Sequence, residues 1–175
     1  MRPLYRVRQG LGRLSVALCP KRLDRTPAQE LLPTPLLRLF MAMPRGDQWH
    51  GLCVCRRLMA EGHGEPALLA AALLHDVGKA EGGLTLAHRT AIILINALAP
   101  HQDWLDRLGA AQPGSWRYPF HVQRHHAALG AARLREAGAD PAIVSLVEAH
   151  EPRAAPLAPE LEPLRRALIA ADEAC

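Results

Sequence analysis

One stretch of this chain constrains all the others. From Pro66 to Leu74 every residue is apolar, and the run leads straight into His75-Asp76-Val77-Gly78-Lys79. A helix that is apolar on every face must be surrounded by other elements, so this one is expected at the centre of a core. It is far shorter than the ~20 residues that a membrane span requires. An ionised aspartate is almost never fully buried unless it is paired or binds a metal. The pair His75-Asp76, placed at the end of the most apolar segment, therefore needs a chemical explanation. A satisfied core histidine beside a capping aspartate would serve for the dipeptide alone.

The rest of the chain supplies helices to surround that centre. Hydrophobic residues make up 49% of the sequence and aromatics only 4%, so the apolar material is mostly Leu and Ala. These are good helix formers, whereas the β-branched and aromatic residues favoured in strands are scarce. An all-α fold follows, and 175 residues suffice for one domain with a single core. A short amphipathic helix is expected around Tyr5–Leu18 and a helix start at Thr26-Pro27. Further helices are expected from about Pro35 to Met43, from Asp47 to a stop at Gly62, and from Pro66 to Leu74. Thr85 is placed to cap a helix reaching Leu98, with Ile92, Ile93 and Ile95 buried. The last three run from Phe120 to Ala137, from an Asp140 cap to His150, and from about Pro159 onward. The count is about seven helices with no convincing strand.

Charge is uneven. Residues 1–25 carry seven basic side chains (Arg2, Arg6, Arg8, Arg13, Lys21, Arg22 and Arg25) against Asp24 alone. That is a local +6, which leaves residues 26–175 at −2 of the chain's +4. Such an arm is suited to weak contact with anionic membrane or nucleic acid, or is simply a solvated leader. Cys53 and Cys55 lack the C-x-x-C spacing of metal or redox pairs. No secretory apolar segment precedes residue 63. A soluble cytoplasmic protein with reduced thiols is the expectation.

Nine histidines are present, and several stand where His75 does, at the edges of apolar helices. His50 lies near the start of one helix. His150 ends another after Ile143–Val147, and Asp172 follows Leu168-Ile169-Ala170-Ala171. Imidazoles with carboxylates suit Zn, Mn, Fe, Co or Ni, and the mixture does not choose among them.

The order His50 … His75-Asp76 … Asp172 resembles the H…HD…D signature of the HD-domain metal-dependent phosphohydrolase superfamily, and Ala71–Lys79 is similar to that family's central motif. The similarity covers residues 36–175, an HD domain, and leaves 1–35 as a basic N-terminal arm. It implies a helical bundle with a divalent transition metal between helices, held by His50, His75, Asp76 and Asp172. It also implies that the last helix folds back on the central one. His126, in register with Gly130 and Ala131, and His150, followed by Glu151, match the extra histidines of relatives with two metals. One ion is expected, and a second if these two ligate. Asp76 and Lys79 are the expected catalytic residues, with Lys79 contacting substrate phosphate.

The implied activity is hydrolysis of a nucleotide or other small phosphoester by metal-activated water. Two readings keep the same site without it: a metal- and nucleotide-binding sensor with little turnover, and a di-iron oxygenase. The Gly-Tyr-Pro segment of cyclic-dinucleotide phosphodiesterases is missing after His150-Glu151, which argues against that branch. Trp104, Trp116, Arg117 and Tyr118 are candidate pocket walls, His63, His88, His101, His121 and His125 have no assigned role, and the apolar helices leave room for a homodimer.

Overall fold

The computed structural model describes residues 23–83, 85, 87–88, 90–92, 103–151 and 154–175. The helix expected at Tyr5–Leu18, the basic residues through Arg22, Cys19, Ile93, Ile95 and His101 lie outside them, as does most of the helix expected after Thr85. Among the described residues the protein is all-α, without a strand. The helices are α1 (Thr26–Leu31), α2 (Thr34–Ala42), α3 (Arg45–Ala60), α4 (Pro66–Leu74), α5 (Asp103–Leu108), α6 (Tyr118–Glu136), α7 (Pro141–Glu148) and α8 (Glu162–Ala174). A 3-10 segment, Val77–Gly82, follows α4. No helix among the described residues is long and apolar enough to cross a membrane.

The local chemistry of the ends explains most boundaries. Asp140 caps α7 by accepting from the Ala142 N–H at 2.7 Å, and Pro141 opens its first turn. Gly62 and Gly138 take positive φ just past α3 and α6, where a side chain would be strained. The start at Thr26 is assisted from outside the helix, by Asp24 accepting from the Thr26 N–H. Ala28 and Leu32 are buried in the main core, so the segment 26–32 packs with the helices that follow.

As its composition predicts, α4 is central. Leu68 to Leu74 are all buried, and α1, α2, α3, α7 and α8 all contact it. Each buried leucine contributes about 1.5–3 kcal/mol. That density of apolar contact is what carries His75 and Asp76, the next two residues, into the interior. From α3 come Leu52, Val54 and Leu58, from α6 Ala131 and Leu134, from α7 Leu146 and Val147, and from α8 Leu168 and Ala171.

Two glycines set how closely the surrounding helices approach. A Cβ on Gly51 would lie 2.7 Å from the Leu73 carbonyl oxygen, so α3 rests directly on the backbone of the last turn of α4. Gly78 meets α6 still more tightly. A Cβ there would overlap the His126 carbonyl oxygen and lie 2.7 Å from the Gly130 N. The sequence assigns Gly78 to a sharp exit from the helix, but it is not among the glycines with positive φ. Its need is for space, because backbone packs on backbone. The Arg133–Glu81 and Arg135–Glu148 ion pairs then fasten α6 to the 3-10 segment and to α7.

The cysteines correct an expectation. Cys53 and Cys175 form a disulfide across α3 and the end of α8, with Cα atoms 6.1 Å apart, rather than remaining reduced thiols. Sequence spacing hides the pair because helix packing, not proximity along the chain, brings the residues together. Cys55 is a buried free thiol.

Replacing Gly78 by alanine is expected to destabilise the chain by about 3 kcal/mol or more, the upper range for forcing atoms into a packed interior. Gly64→Ala, where a Cβ would meet nothing within 4 Å, is expected to be nearly neutral. Urea unfolding of both variants against the parent checks the contrast.

Candidate metal centre

Six side chains singled out in the sequence converge where α3, α4, α6, α7 and α8 meet. His50 is in the second turn of α3, His75 caps the C-terminus of α4, and Asp76 begins the 3-10 segment. His126 is mid-way along α6, His150 lies two residues past α7, and Asp172 is in the last turn of α8. Five of the six are at most 5% exposed, and the Asp172 side chain, 30% exposed, marks the solvent side. The rings of His50, His75, His150 and His126 follow one another edge to face, with centroids 5.1, 5.2 and 5.1 Å apart.

The histidines are oriented by one repeated device. The Nδ1–H of His75 donates to the Ala72 carbonyl at 2.9 Å, that of His126 to Gln123 at 2.9 Å, and that of His150 to Val147 at 2.6 Å. In each case the acceptor is the carbonyl three residues back. A carbonyl can only accept, so each of these nitrogens carries the proton, and Nε2 is the ring nitrogen turned inward. Two of the three rings are also biased toward the neutral form. Burial first, then the Lys79 charge, hold His126 well below the usual histidine range. Burial, then His75, push His150 down to about 4.

Imidazoles arranged in this way could serve as metal ligands. The Nε2 atoms of His126 and His150 face each other at 3.2 Å. His75 Nε2 is fully buried and makes no hydrogen bond; it lies 3.7 Å from Asp76 Oδ1 and 3.6 Å from Asp172 Oδ1. His126 Nε2 is 3.6 Å from the same Asp76 oxygen. Ligand bonds of ~2.0–2.2 Å place neighbouring donors on one ion about 3–3.5 Å apart. These spacings are close to that edge length, and the 3.6–3.7 Å separations are too long for direct hydrogen bonds.

The donors form two sets: His50, His75 and Asp76, and Asp76, His126 and His150. Within each, ligand atoms lie inside 4.8 Å of one another, and Asp76 belongs to both. The chain can therefore hold a metal ion here, and the donor chemistry suits a divalent transition metal.

Two contacts qualify this picture. His50 Nε2 is 2.6 Å from Asp172 Oδ1, a hydrogen bond rather than a coordination edge. Burial acts to raise the Asp172 carboxyl, but the His50 hydrogen bond and the nearby His75 outweigh it and hold the group well below the usual carboxylate range. Lys79 is nearly buried, with its Nζ 2.6 Å from Asp76 Oδ1. It is fixed beside the shared aspartate, one turn further on, and supplies positive charge at the site.

The other residues named from sequence are elsewhere. His125 is exposed and its ring packs on His121, whereas its neighbour His126 is inside. His88 uses both ring nitrogens, on Thr85 Oγ1 and the Trp116 carbonyl, and His63 pairs with Glu65 at the surface. Trp104 and Trp116 are exposed. Arg117 reaches the Leu108 and Arg107 carbonyls and so closes the connection between α5 and α6. Three contacts near the site had no sequence assignment. Glu151 Oε1 is 3.8 Å from His126 Nδ1. Arg165 donates to the Ala149 carbonyl beside His150, and is itself gripped at 2.9 Å by both oxygens of Glu162. The Glu162–Arg165 spacing, one helical turn, was the only signal of that pair in the sequence.

Compared with models of known protein families, with curated proteins and with solved structures, the chain matches none.

The depressed His150 pKa has a consequence for stability. The unfolded chain takes up a proton near the ordinary value of 6.5, and the folded chain resists it down to about 4. Unfolded chains thus bind more protons in that window, and stability falls as pH drops through it. The loss assigned to His150 is about 3 kcal/mol, with His126 acting in the same direction. Urea unfolding of metal-free protein across pH 4 to 7 is expected to show this slope, and His150→Asn is expected to reduce it.

Proposed function

We propose that the chain is a metal-dependent phosphohydrolase of the HD superfamily, acting on a nucleotide or another small phosphoester. The observation that carries this reading is the position of Asp76: an interior carboxylate shared by two sets of donors, flanked by buried histidines and contacted by a lysine. The similarity of His50, His75-Asp76, Asp172 and the Val77-Gly78-Lys79 run to that superfamily supports it from the sequence side.

A divalent ion held by these residues supplies an acidified water and a positive charge against a phosphoryl oxygen. The chain's own groups do the rest. His75, His126 and His150 commit Nδ1–H to backbone carbonyls and so offer Nε2 as the ligating atom. Asp76 Oδ1 fixes the centre of the array. Lys79 sits where negative charge on a phosphate would accumulate, in a water-poor site where a cation acts most strongly. Asp172, held by His50, is the most solvent-exposed of the six side chains.

Elemental analysis of protein reconstituted with Mn, Fe, Co, Ni and Zn tests the reading together with hydrolysis of nucleotides and simple phosphomonoesters. At least one ion per chain is expected. Asp76→Asn is expected to lose it, with activity down about 100-fold or more. Lys79→Met is expected to behave oppositely at the metal. Removing a cation bonded to Asp76 strengthens metal binding, while turnover falls. Bound metal and nucleotide without product would replace the hydrolase by a sensor, and bound iron with oxygen consumption by an oxygenase. No ion under any condition would end the reading altogether.

A further inference from the structure

The disulfide and the His50–Asp172 contact occupy equivalent places on the same two helices. Cys53 is three residues beyond His50 along α3, and Cys175 three residues beyond Asp172 at the end of α8. Both pairs are therefore separated by 122 residues in sequence. One helical turn covers about this spacing. The covalent bridge thus lies next to the hydrogen bond and runs between the same two elements. The Cys175 N–H also bonds to the Asp172 carbonyl at 3.3 Å, which ties the bridged residue to the backbone of the ligand.

We propose that the Cys53–Cys175 disulfide is a redox modification site of the metal centre: closed, it holds Asp172 in place against His50, and its reduction by a dithiol lowers the metal affinity of the chain. This rests on the metal-site reading above. Cys53 and Cys175 are both half-buried, so a thiol can reach them. Cys55 is fully buried, and burial pushes its thiol up to about 11, so it is protonated and a poor nucleophile toward the bridge.

The chemistry balances with one dithiol. A thiolate of the reagent attacks one sulfur of the bridge, the S–S bond breaks, and a mixed disulfide forms. The second reagent thiol displaces the protein sulfur. Two electrons and two protons have then passed to Cys53 and Cys175, and the reagent leaves as a cyclic disulfide. Without the bridge, the covalent link between α3 and the turn of α8 that carries Asp172 is lost, and that turn can move away from His50. Loosening a ligand's support typically costs 10–100-fold in affinity, and about that loss is expected here.

The test uses the full chain in three forms: oxidised, with the Cys53–Cys175 peptide pair confirmed by mass spectrometry; reduced and freed of reagent under nitrogen; and Cys53→Ser. Each is titrated with Co2+ and followed by its visible absorption. Binding ~10–100-fold weaker in the second and third forms than in the first supports the proposal. Equal or tighter binding overturns it and leaves the metal site standing, as does failure to find the bridge after oxidation with glutathione disulfide. Absence of Co2+ binding in all three overturns both readings.

A second measurement does not depend on a variant that folds. Coupling is reciprocal, so saturating Co2+ must shift the dithiol–disulfide equilibrium toward the bridge by the same factor. A glutathione equilibrium that ignores Co2+ counts against the proposal even if Cys53→Ser is unstable.

Discussion

A carboxylate 2% exposed at the end of an apolar helix is the constraint around which the rest of this structure is arranged. Taking such a charge out of water costs several kcal/mol unless it is met by partners. Asp76 is met at once by Lys79, three residues on, and is approached by the Nε2 atoms of His75 and His126. His75 and Lys79 come from the same stretch of chain as Asp76, and His126 is delivered by α6. Gly51 lets α3 bring His50 to the end of α4, and Gly78 lets α6 bring His126 over the 3-10 segment. The glycines have no chemistry of their own, yet a methyl group at either would push a donor away.

Much of this was legible in the sequence. The all-apolar composition of Pro66–Leu74 announced a central helix, and Leu68–Leu74 are buried throughout. His50, His75, Asp76, His150 and Asp172 were singled out at the edges of apolar segments, and His126 by its register with Gly130 and Ala131; the structure brings all six together. The edge of a buried helix is the one place where a polar group can be both interior and near a neighbouring helix, which is why that signal points to a cluster.

What escaped the sequence depends on geometry between elements. The Cys53–Cys175 bridge joins residues whose proximity arises only from how α3 lies against α8. The steric role of Gly78 was invisible because its neighbour, the His126 carbonyl, is distant in the chain. Trp104, Trp116, Arg117 and Tyr118 drew attention as large side chains in an irregular region. Two of them are surface residues, and Arg117 braces a loop. Size and position near a motif say little about direction, whereas helical periodicity does. The same logic separates His126 from His125: adjacent residues on a helix point about 100° apart, and only one can face inward.

The anchoring of three histidines to carbonyls of their own chain segment has a further consequence. Each ring is oriented by the turn that carries it and needs no neighbour to set its angle. A helix that slides or rotates slightly takes its imidazole along as a rigid pointer. The separations between the Nε2 atoms are then a direct readout of how α4, α6 and α7 sit relative to one another. A substitution deep in the core, at Leu134 or Leu146 for instance, would register as an altered coordination sphere without touching any ligand. In such an architecture the quality of hydrophobic packing and the electronic character of a bound ion are two measurements of the same helix positions.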